Sequence, residues 1–419
     1  MSPDVAWHTD GWFTSPWNHD PEVTEGLDLP ERIQIHDVTL RDGEQQAGVE
    51  LSADDKIRIA EALADTGVHR IEAGLPAVSK QDEEAVRAIA TRGLPSTIYA
   101  FSRCMIADVD RAVDCGVAGI VMEIPSSRHL IEMGYRWSVD RALELSIEAT
   151  RHAHEQGLLV SFFPIDATRS SVEDYLQLVG TVARDGHIDA LGLVDTFGVL
   201  TPHAVERFVT RSREAIPVPL ETHFHMDYGL GVANSLIAAG AGASVIQTTV
   251  GGIGERAGNT PLEETVLALL TLYGRDVGIR TERLTPLARL VMELAGVSQP
   301  SNRPVTGTRL FEVESGIIAS WVRNVRDTDL AEAFPFVPSL VGQSDARLVL
   351  GKGSGLDSIT EWLDGLGRTA SDAESQELLA RVKEASLSKR GLVDGSEFRA
   401  LADEVLGAQE EEPRAVSQT

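Results

Sequence analysis

The sequence predicts an α/β protein: a (β/α)8 TIM barrel with an irregular N-terminal arm and a mainly helical C-terminal accessory region. From Ile33 onward, short β-branched runs alternate with segments of helical period, which indicates parallel strands joined by helical crossovers. Eight such units fit into about 240 residues, the size of a closed barrel. An open doubly wound sheet is the alternative, but it does not usually need eight uninterrupted repeats.

The predicted strands and helices follow one another in regular order. The strands are Ile33–His36, Arg70–Ala73, Ser96–Ala100, Gly119–Glu123, Leu158–Phe163, Ala190–Val194, Leu220–Phe224 and Ser244–Thr249. The helices are Ala53–Thr66, Gln81–Arg92, Ala107–Cys115, Val139–Gln156, Val172–Arg184, Pro202–Ala215, Leu230–Ala241 and Leu262–Gly274. Ser52 is a predicted N-cap, and Gly67 and Gly116 follow helix ends, as glycine often does.

The chain divides into four predicted parts. These are an N-terminal arm (1–30), the catalytic barrel (31–275), accessory helical subdomains (276–408) and a disordered tail (409–419). The arm has no regular period, but Trp7, Trp12 and Trp17 predict that it is packed by its aromatic side chains. After Gly274 the helical segments are short and interrupted, which excludes a second barrel.

Composition and charge narrow the class of protein. Acidic residues outnumber basic ones 64 to 37, and the formal charge of −27 argues against nucleic acid or an anionic membrane as partner. Only Cys104 and Cys115 are present, so a disulfide framework or a cysteine zinc site is not expected. No signal-peptide pattern or long apolar run is found. We therefore expect a cytoplasmic enzyme.

A His-x-His pair lies at the end of the seventh predicted strand. Because side chains alternate along a strand, His223, His225 and Asp227 would share one face, and two neutral imidazoles can bind a divalent metal. Two solvated histidines at a polar strand end are the alternative for an isolated pair. In a barrel the reactive groups lie at the C-terminal strand ends, where Asp42 and Asn259 would join the histidines.

This set predicts a metal site with mixed nitrogen and oxygen ligands. Asp42, His223, His225 and Asn259 suit Mg²⁺, Mn²⁺, Zn²⁺ or Fe²⁺, and the residues do not distinguish among these. Arg41 would add a fixed positive donor beside the metal. Together they would stabilise an enolate or an alkoxide.

The same motifs resemble the isopropylmalate synthase, homocitrate synthase and citramalate synthase group of the DRE-TIM metallolyase superfamily. The matching segments are Asp37–Gln45, Ile71–Ala77, His223–His225 and Gly251–Asn259, with weaker matches at Glu314–Gly316 and Gly351–Gly355. The resemblance implies a divalent metal on the four predicted ligands, a 2-oxo acid chelated to it, and acetyl-CoA as co-substrate. It further implies that Arg41 polarises the ketone, that Thr196 contacts the carboxylate of the 2-oxo acid, and that the enzyme is a homodimer. Gln45, in the first matching segment, is a further candidate substrate-binding residue.

Four positions depart from the pattern of that group. Ile165 replaces a glutamate, Ile318 a histidine that helps to deprotonate acetyl-CoA, Gly353 a histidine and Met226 an asparagine. Loss of a general acid or base typically costs about 10²–10⁴-fold in rate. Either another residue takes the role of the missing acid or base, or the acyl partner or the reaction differs from that of the group.

Polar residues near the strand ends are candidates for the missing roles. For proton transfer these are His129 and Glu255, followed by Asp166 and Tyr135; for a distal anion of the substrate they are Arg169, Arg128 and Arg136. An ordinary polar loop residue or a surface ion pair is the alternative for each. The chain is also expected to lack the leucine-sensing domain of long isopropylmalate synthases.

The leading functional hypothesis is a metal-dependent Claisen-type condensation of an acyl-CoA with a 2-oxo acid, which makes the chain an acyltransferase. A retro-aldol or retro-Claisen lyase, or another acyl transfer at the same site, is the alternative. The lyase branch of the superfamily carries a catalytic cysteine in its glycine loop, and Gly251–Asn259 contains none. A non-catalytic barrel that binds metal or substrate is the third hypothesis.

Overall fold

The computed structural model describes residues 5–408 and contains a closed barrel of eight parallel strands. The strands are β1 (Gln34–Asp37), β2 (Arg70–Glu72), β3 (Thr97–Arg103), β4 (Gly119–Pro125), β5 (Leu159–Ile165), β6 (Ala190–Asp195), β7 (Leu220–Phe224) and β8 (Val245–Thr248). Strand β1 pairs with both β2 and β8, and Asp37 lies opposite Thr248 at the closing seam. The predicted barrel is confirmed.

One helix follows each strand. The eight helices are Ala53–Thr66, Lys80–Ala90, Ile106–Cys115, Val139–Glu155, Val172–Asp185, Pro202–Ala215, Gly231–Gly240 and Leu262–Tyr273. Ser52 caps the first through a capping box with Asp55, and Gly67 ends it at a φ of 98°. Both local signals act as the sequence predicts, because the cap satisfies free N–H groups and glycine adopts the left-handed conformation without strain.

The barrel interior is filled by an apolar layer beneath the mouth. Its buried members are Tyr99, Phe101, Val121, Phe163 and Val194, and Leu75 and Ile165 pack against them. Since side chains alternate along a strand, the residues two positions further along β3, β4 and β5 point into the mouth at the C-terminal strand ends. The layer therefore forms the floor of the mouth.

The chain forms two compact units. One spans Ser15–Gly307 and contains the barrel, a short helix Pro21–Thr24 and the helix Leu284–Ala295. The described part of the other comprises residues 5–14 and 308–408. The predicted division at residues 30, 275 and 408 stays a prediction, and the tail predicted at 409–419 lies outside the described residues.

The second unit is mainly helical, as predicted for the C-terminal region. Its helices are Gly316–Val325, Leu356–Gly365, Asp372–Lys389 and Gly395–Leu406, and a small parallel sheet joins Glu312–Val313 to Arg347–Leu348. Within residues 5–14 only isolated bridges occur, one of them between Trp12 and Phe336. No helix within residues 5–408 is long and apolar enough to cross a membrane.

Candidate active site

Three predicted ligand side chains converge at the barrel mouth. His223 lies on β7, His225 follows it, and Asp42 lies in the turn after β1. The His223 Nε2 atom is 3.2 Å from His225 Nε2 and 3.5 Å from Asp42 Oδ2. All three side chains are buried, and one ligand atom from each lies within 4.8 Å of the others. Two imidazole nitrogens and a carboxylate oxygen thus face one small space.

Asn259 lies directly beside this group. It forms a β-bridge with His225, and its Nδ2 donates to Asp42 Oδ1 at 2.6 Å. Its buried Oδ1 has no hydrogen-bond partner among residues 5–408. The close approach requires Gly254, whose φ is 150° and where an added Cβ would lie 2.2 Å from Asn259 Nδ2. The side-chain amide thus lies against Asp42, with its oxygen left without a hydrogen-bond partner among the described residues.

Hydrogen bonds fix the tautomer of His223. Gln247 donates through Nε2 to Glu221 Oε2 at 3.1 Å, so its Oε1 is the acceptor that faces His223 Nδ1 at 2.9 Å. The Nδ1 atom must therefore carry the proton, which leaves the lone pair on Nε2. That nitrogen is the one that points toward Asp42 and His225.

The protonation states also suit a cation. Burial lowers the pKa of His225 to about 4, so its imidazole is neutral at pH 7. Burial opposes ionisation of Asp42, but Arg41 and the two histidines outweigh it and lower the pKa of this carboxyl group. Neutral imidazole and ionised carboxylate are the forms that bind metal. The residues present therefore fit a divalent cation.

Arg41 is a fixed cation next to the ligand group. Its Nη1 donates to Asp42 Oδ2 at 2.7 Å, its Nε donates to Glu72, and its guanidinium lies 4.2 Å from the centre of the Phe101 ring. The buried Nη2 has no hydrogen-bond partner among residues 5–408. Gln45 Oε1 lies 3.4 Å from Nη1. A donor is thus held ready for an oxygen that develops negative charge.

A second polar cluster occupies the ends of β5 and β6. Asp166 Oδ2 lies 2.9 Å from His129 Nε2, and Asp166 Oδ1 accepts from Arg169 Nε at 2.5 Å. The backbone N–H of Asp166 donates to Thr196 Oγ1 at 2.8 Å, while the guanidinium of Arg169 stacks on the Phe197 ring at 3.6 Å. The predicted residues 129, 166, 169 and 196 therefore lie together, with Asp166 at their centre.

Other predicted residues lie apart from these two groups. Strand β7 ends at Phe224, so the alternation does not extend to Asp227, whose Oδ1 accepts from Arg256 Nε at 2.9 Å instead. Glu255 is half-exposed, and its carboxylate lies 3.6 Å from Arg256 Nη1. The prediction of a shared face for Asp227 and the two histidines was wrong, because the strand ends too early.

Two of the departing positions have a structural explanation. Ile318 packs against the cluster of Val313, Ala319, Val322 and Leu348, so its side chain serves the core of its own unit. Gly353 donates its backbone N–H to Glu314 Oε1 at 2.8 Å, and an added Cβ would lie 3.1 Å from that oxygen. A side chain at this position would therefore require the Glu314 carboxylate to shift by a few tenths of an ångström.

Three polar side chains of the barrel interior were not predicted from the sequence as part of the site. They are Glu72 on β2, Gln247 on β8 and Glu123 on β4. Glu123 and Gln247 interrupt runs of apolar residues, which is the one signal that points to them, whereas Glu72 ends the short strand Arg-Ile-Glu. The mouth also opens into a cavity of about 480 Å³ beside Arg41 and Gln45, lined in part by Leu75.

Comparison with known proteins agrees with this geometry. The family model described as HMGL-like matches residues 32–291. Homocitrate synthase AksA of Methanopyrus kandleri is 39% identical over 92% of this chain and 95% of its own length. A probable 2-isopropylmalate synthase of the same organism is 39% identical over 93% of this chain and 76% of its own.

A third relative and a solved structure complete the comparison. A putative (R)-citramalate synthase CimA of Methanopyrus kandleri is 39% identical over 92% of this chain and 75% of its own length. The crystal structure of the HMG-CoA lyase of Bacillus subtilis aligns with a TM-score of 0.59 at 22% identity, covering 65% of this chain and 97% of the lyase. That structure supports the barrel fold alone. The resemblance predicted from the motifs is confirmed.

Proposed function

The chain belongs to the HMGL-like family and is an acyltransferase, and on this premise we propose that it condenses acetyl-CoA with a 2-oxo acid. The products would be a 2-substituted malate and CoA. The observation that carries the proposal is the convergence of Asp42, His223 and His225 beside Arg41, whose Nη2 has no hydrogen-bond partner in the described part of the chain. A divalent cation and a guanidinium would then act on the same substrate oxygen.

We propose that Asp42, His223, His225 and Asn259 would hold the cation. When bound, it supplies Lewis-acid polarisation of the ketone of the 2-oxo acid. Arg41 orients that ketone and stabilises the alkoxide, because its guanidinium is already fixed by carboxylates and needs no reorganisation.

The second cluster and Gln45 suit the substrate carboxylate. Thr196 Oγ1 accepts a hydrogen bond from the backbone, so its hydroxyl proton is free to donate to a carboxylate. Arg169 adds a positive charge that Asp166 and Phe197 hold in place. We propose Gln45, Thr196 and Arg169 as substrate-binding residues.

The reaction also needs groups that move protons. We propose that His129, which Asp166 orients, accepts a proton from the water that hydrolyses the thioester. Glu255 lies at the rim of the mouth, half-exposed, and we propose that it exchanges protons with solvent. Arg41, His129 and Glu255 thus act at different points of the same mouth.

The cysteines of the chain support condensation over cleavage. The two cysteines, Cys104 and Cys115, are buried, and neither lies in the glycine loop 251–259. Burial raises the pKa of the Cys104 thiol, which keeps it protonated. Neither residue therefore matches the loop cysteine of the lyase branch.

The test is a CoA-release assay with purified protein. Acetyl-CoA is mixed with Mg²⁺, Mn²⁺, Zn²⁺ or Fe²⁺ and a panel of 2-oxo acids, and free thiol is followed while products are identified by mass spectrometry. We expect metal-dependent thiol release that requires one of the acids and is abolished in Arg41→Ala. Thiol release that does not depend on the added 2-oxo acid would indicate a thioesterase instead. Cleavage of 2-hydroxy or 3-hydroxy acyl substrates without any condensation would refute the proposal.

A further inference from the structure

Residue 165, the last of β5, has no side-chain group that can transfer a proton. Ile165 stands where the condensing enzymes that the chain resembles have a glutamate, and its side chain packs against the apolar floor of the mouth. Loss of such a group typically costs about 10²–10⁴-fold in rate. A chain that catalyses the proposed condensation therefore needs a proton acceptor elsewhere in the mouth.

Glu123 supplies a carboxylate on the neighbouring strand. Strand β4 pairs with β5 so that Glu123 lies opposite Phe163 and Pro125 lies opposite Ile165. Val121, two residues before Glu123, belongs to the same interior layer as Phe163. By the alternation of the strand, Glu123 points into the mouth, one strand spacing of about 4.8 Å from β5.

The surroundings of Glu123 suit proton transfer. Burial raises the pKa of Glu123, and a hydrogen bond from Tyr135 and the charges of Arg41 and Arg103 offset this only in part, while Glu255 adds to the rise. The Tyr135 hydroxyl donates to Glu123 Oε1 at 3.0 Å and so fixes the carboxylate. A carboxyl group whose pKa is raised toward neutrality accepts and returns a proton readily.

The two arginines near Glu123 are engaged with other carboxylates. Arg103 forms a bidentate ion pair with Asp108, at 2.7 Å through Nε and 2.9 Å through Nη2. Arg41 binds Asp42 and Glu72. Their charges therefore reach Glu123 from a distance and do not lock it into an ion pair.

On the basis of the proposed condensation, we propose that Glu123 is the base that removes a proton from the methyl group of acetyl-CoA. The C–H bond breaks, the proton moves to a carboxylate oxygen of Glu123, and the electron pair remains in the thioester enolate. The methyl carbon then bonds to the ketone carbon of the 2-oxo acid, whose oxygen becomes an alkoxide beside Arg41. The alkoxide then takes up the proton that Glu123 held, which returns Glu123 to its carboxylate form. Water hydrolyses the thioester: its hydroxyl group bonds to the carbonyl carbon, the C–S bond breaks, and CoA leaves as a thiol, with no oxidant or reductant needed.

The central test is Glu123→Gln in the metal-loaded full-length enzyme. The amide keeps the size of the side chain and an acceptor for Tyr135, but it cannot take a proton. We expect kcat for CoA release to fall about 10²–10⁴-fold, with little change in KM for the 2-oxo acid or in metal content. In the wild type, kcat/KM rises with pH as Glu123 ionises, and that acidic limb should vanish in the variant.

Three further variants separate chemistry from structure. Glu144→Gln changes an exposed glutamate that lies 3.3 Å from Arg141, and it should leave activity unchanged. Ile165→Glu in the Glu123→Gln background should raise kcat at least tenfold above that of Glu123→Gln alone, because it returns a carboxylate to β5. Tyr135→Phe removes a hydrogen bond that lowers the pKa of Glu123, so the acidic limb should move to higher pH.

The outcomes separate this inference from the proposed function. Suppose that the wild type condenses the substrates, that kcat of Glu123→Gln is within threefold of the wild-type value, and that the pH profile of the variant is unchanged. This result overturns the role of Glu123 but not the proposed function. A wild type that releases no CoA with any acid overturns both. If Glu123→Gln does not fold, the profile of Tyr135→Phe decides, and an unshifted acidic limb refutes the inference.

Discussion

Gln247 links a buried carboxylate to a proposed metal ligand, and we predict that Gln247→Leu weakens both the fold and metal binding. The substitution removes the 3.1 Å bond to Glu221 and the 2.9 Å bond to His223. A buried bond between neutral groups contributes about 1 kcal/mol, and one to a charged carboxylate about 1.5–3 kcal/mol. Since leucine nearly preserves the volume, the metal-free protein should lose about 3 kcal/mol of unfolding free energy.

Metal affinity should fall by a separate mechanism. Without Gln247 Oε1, nothing in the observed network holds the proton on His223 Nδ1, so the lone pair is no longer fixed on Nε2. Loss of such an orienting partner typically costs about 10–100-fold in metal affinity. This corresponds to about 1.4–2.7 kcal/mol. Titration calorimetry with Mn²⁺ measures the affinity, and urea unfolding in the presence of a chelator measures the stability of the metal-free protein.

Thr222→Val is the matched control. Thr222 neighbours His223 on β7, points to the opposite face and is buried, and its Oγ1 has no hydrogen-bond partner within residues 5–408. Valine has nearly the same shape, so the control should bind Mn²⁺ like the wild type. If Gln247→Leu also binds Mn²⁺ with wild-type affinity, the tautomer argument is refuted. If the metal-free form of Gln247→Leu unfolds at the same urea concentration as the wild type, the predicted loss of unfolding free energy from the two hydrogen bonds is refuted as well.

Three further predictions concern the metal group, a buried acid and the second unit. Asp42→Ala and His223→Ala should each lose bound metal on dialysis; retention measured by atomic emission at the wild-type level would exclude them as ligands. Burial raises the pKa of Asp37 from 3.8 to about 7, so the folded state loses stability as pH rises from about 4 to 7. Asp37→Asn stays neutral, so its unfolding free energy relative to that of the wild type should rise by about 4 kcal/mol between pH 4 and pH 8. Urea unfolding measures this difference, and a difference that does not vary with pH would contradict the prediction. Phe398→Ala removes a fully buried ring packed against Trp362 and should cost about 3–5 kcal/mol, whereas a loss below 1 kcal/mol would show that the site collapses around the cavity.

Much of the barrel could be predicted because its signals are local. The alternation of strands and helices, the Ser52 cap and the Gly67 stop each depend on a few neighbouring residues. The convergence of Asp42 and His223 followed from closure of the barrel, which brings β1 and β7 near each other at either side of β8. Asp227 was assigned wrongly, since the end of β7 depends on contacts that no local pattern records.

The remaining features depend on which residues lie opposite each other in neighbouring strands. A glutamate in the run Ile-Val-Met-Glu-Ile can face a helix or the mouth, and the sequence does not distinguish these two orientations. The pairing of β4 with β5 does, because it places Glu123 opposite Phe163, which lies two residues before Ile165. The missing glutamate at residue 165 and the unexpected one at residue 123 are distant in sequence, but the register makes them neighbours. A proton-transfer group missing from one strand can therefore be replaced by one on the adjacent strand while the reaction stays the same.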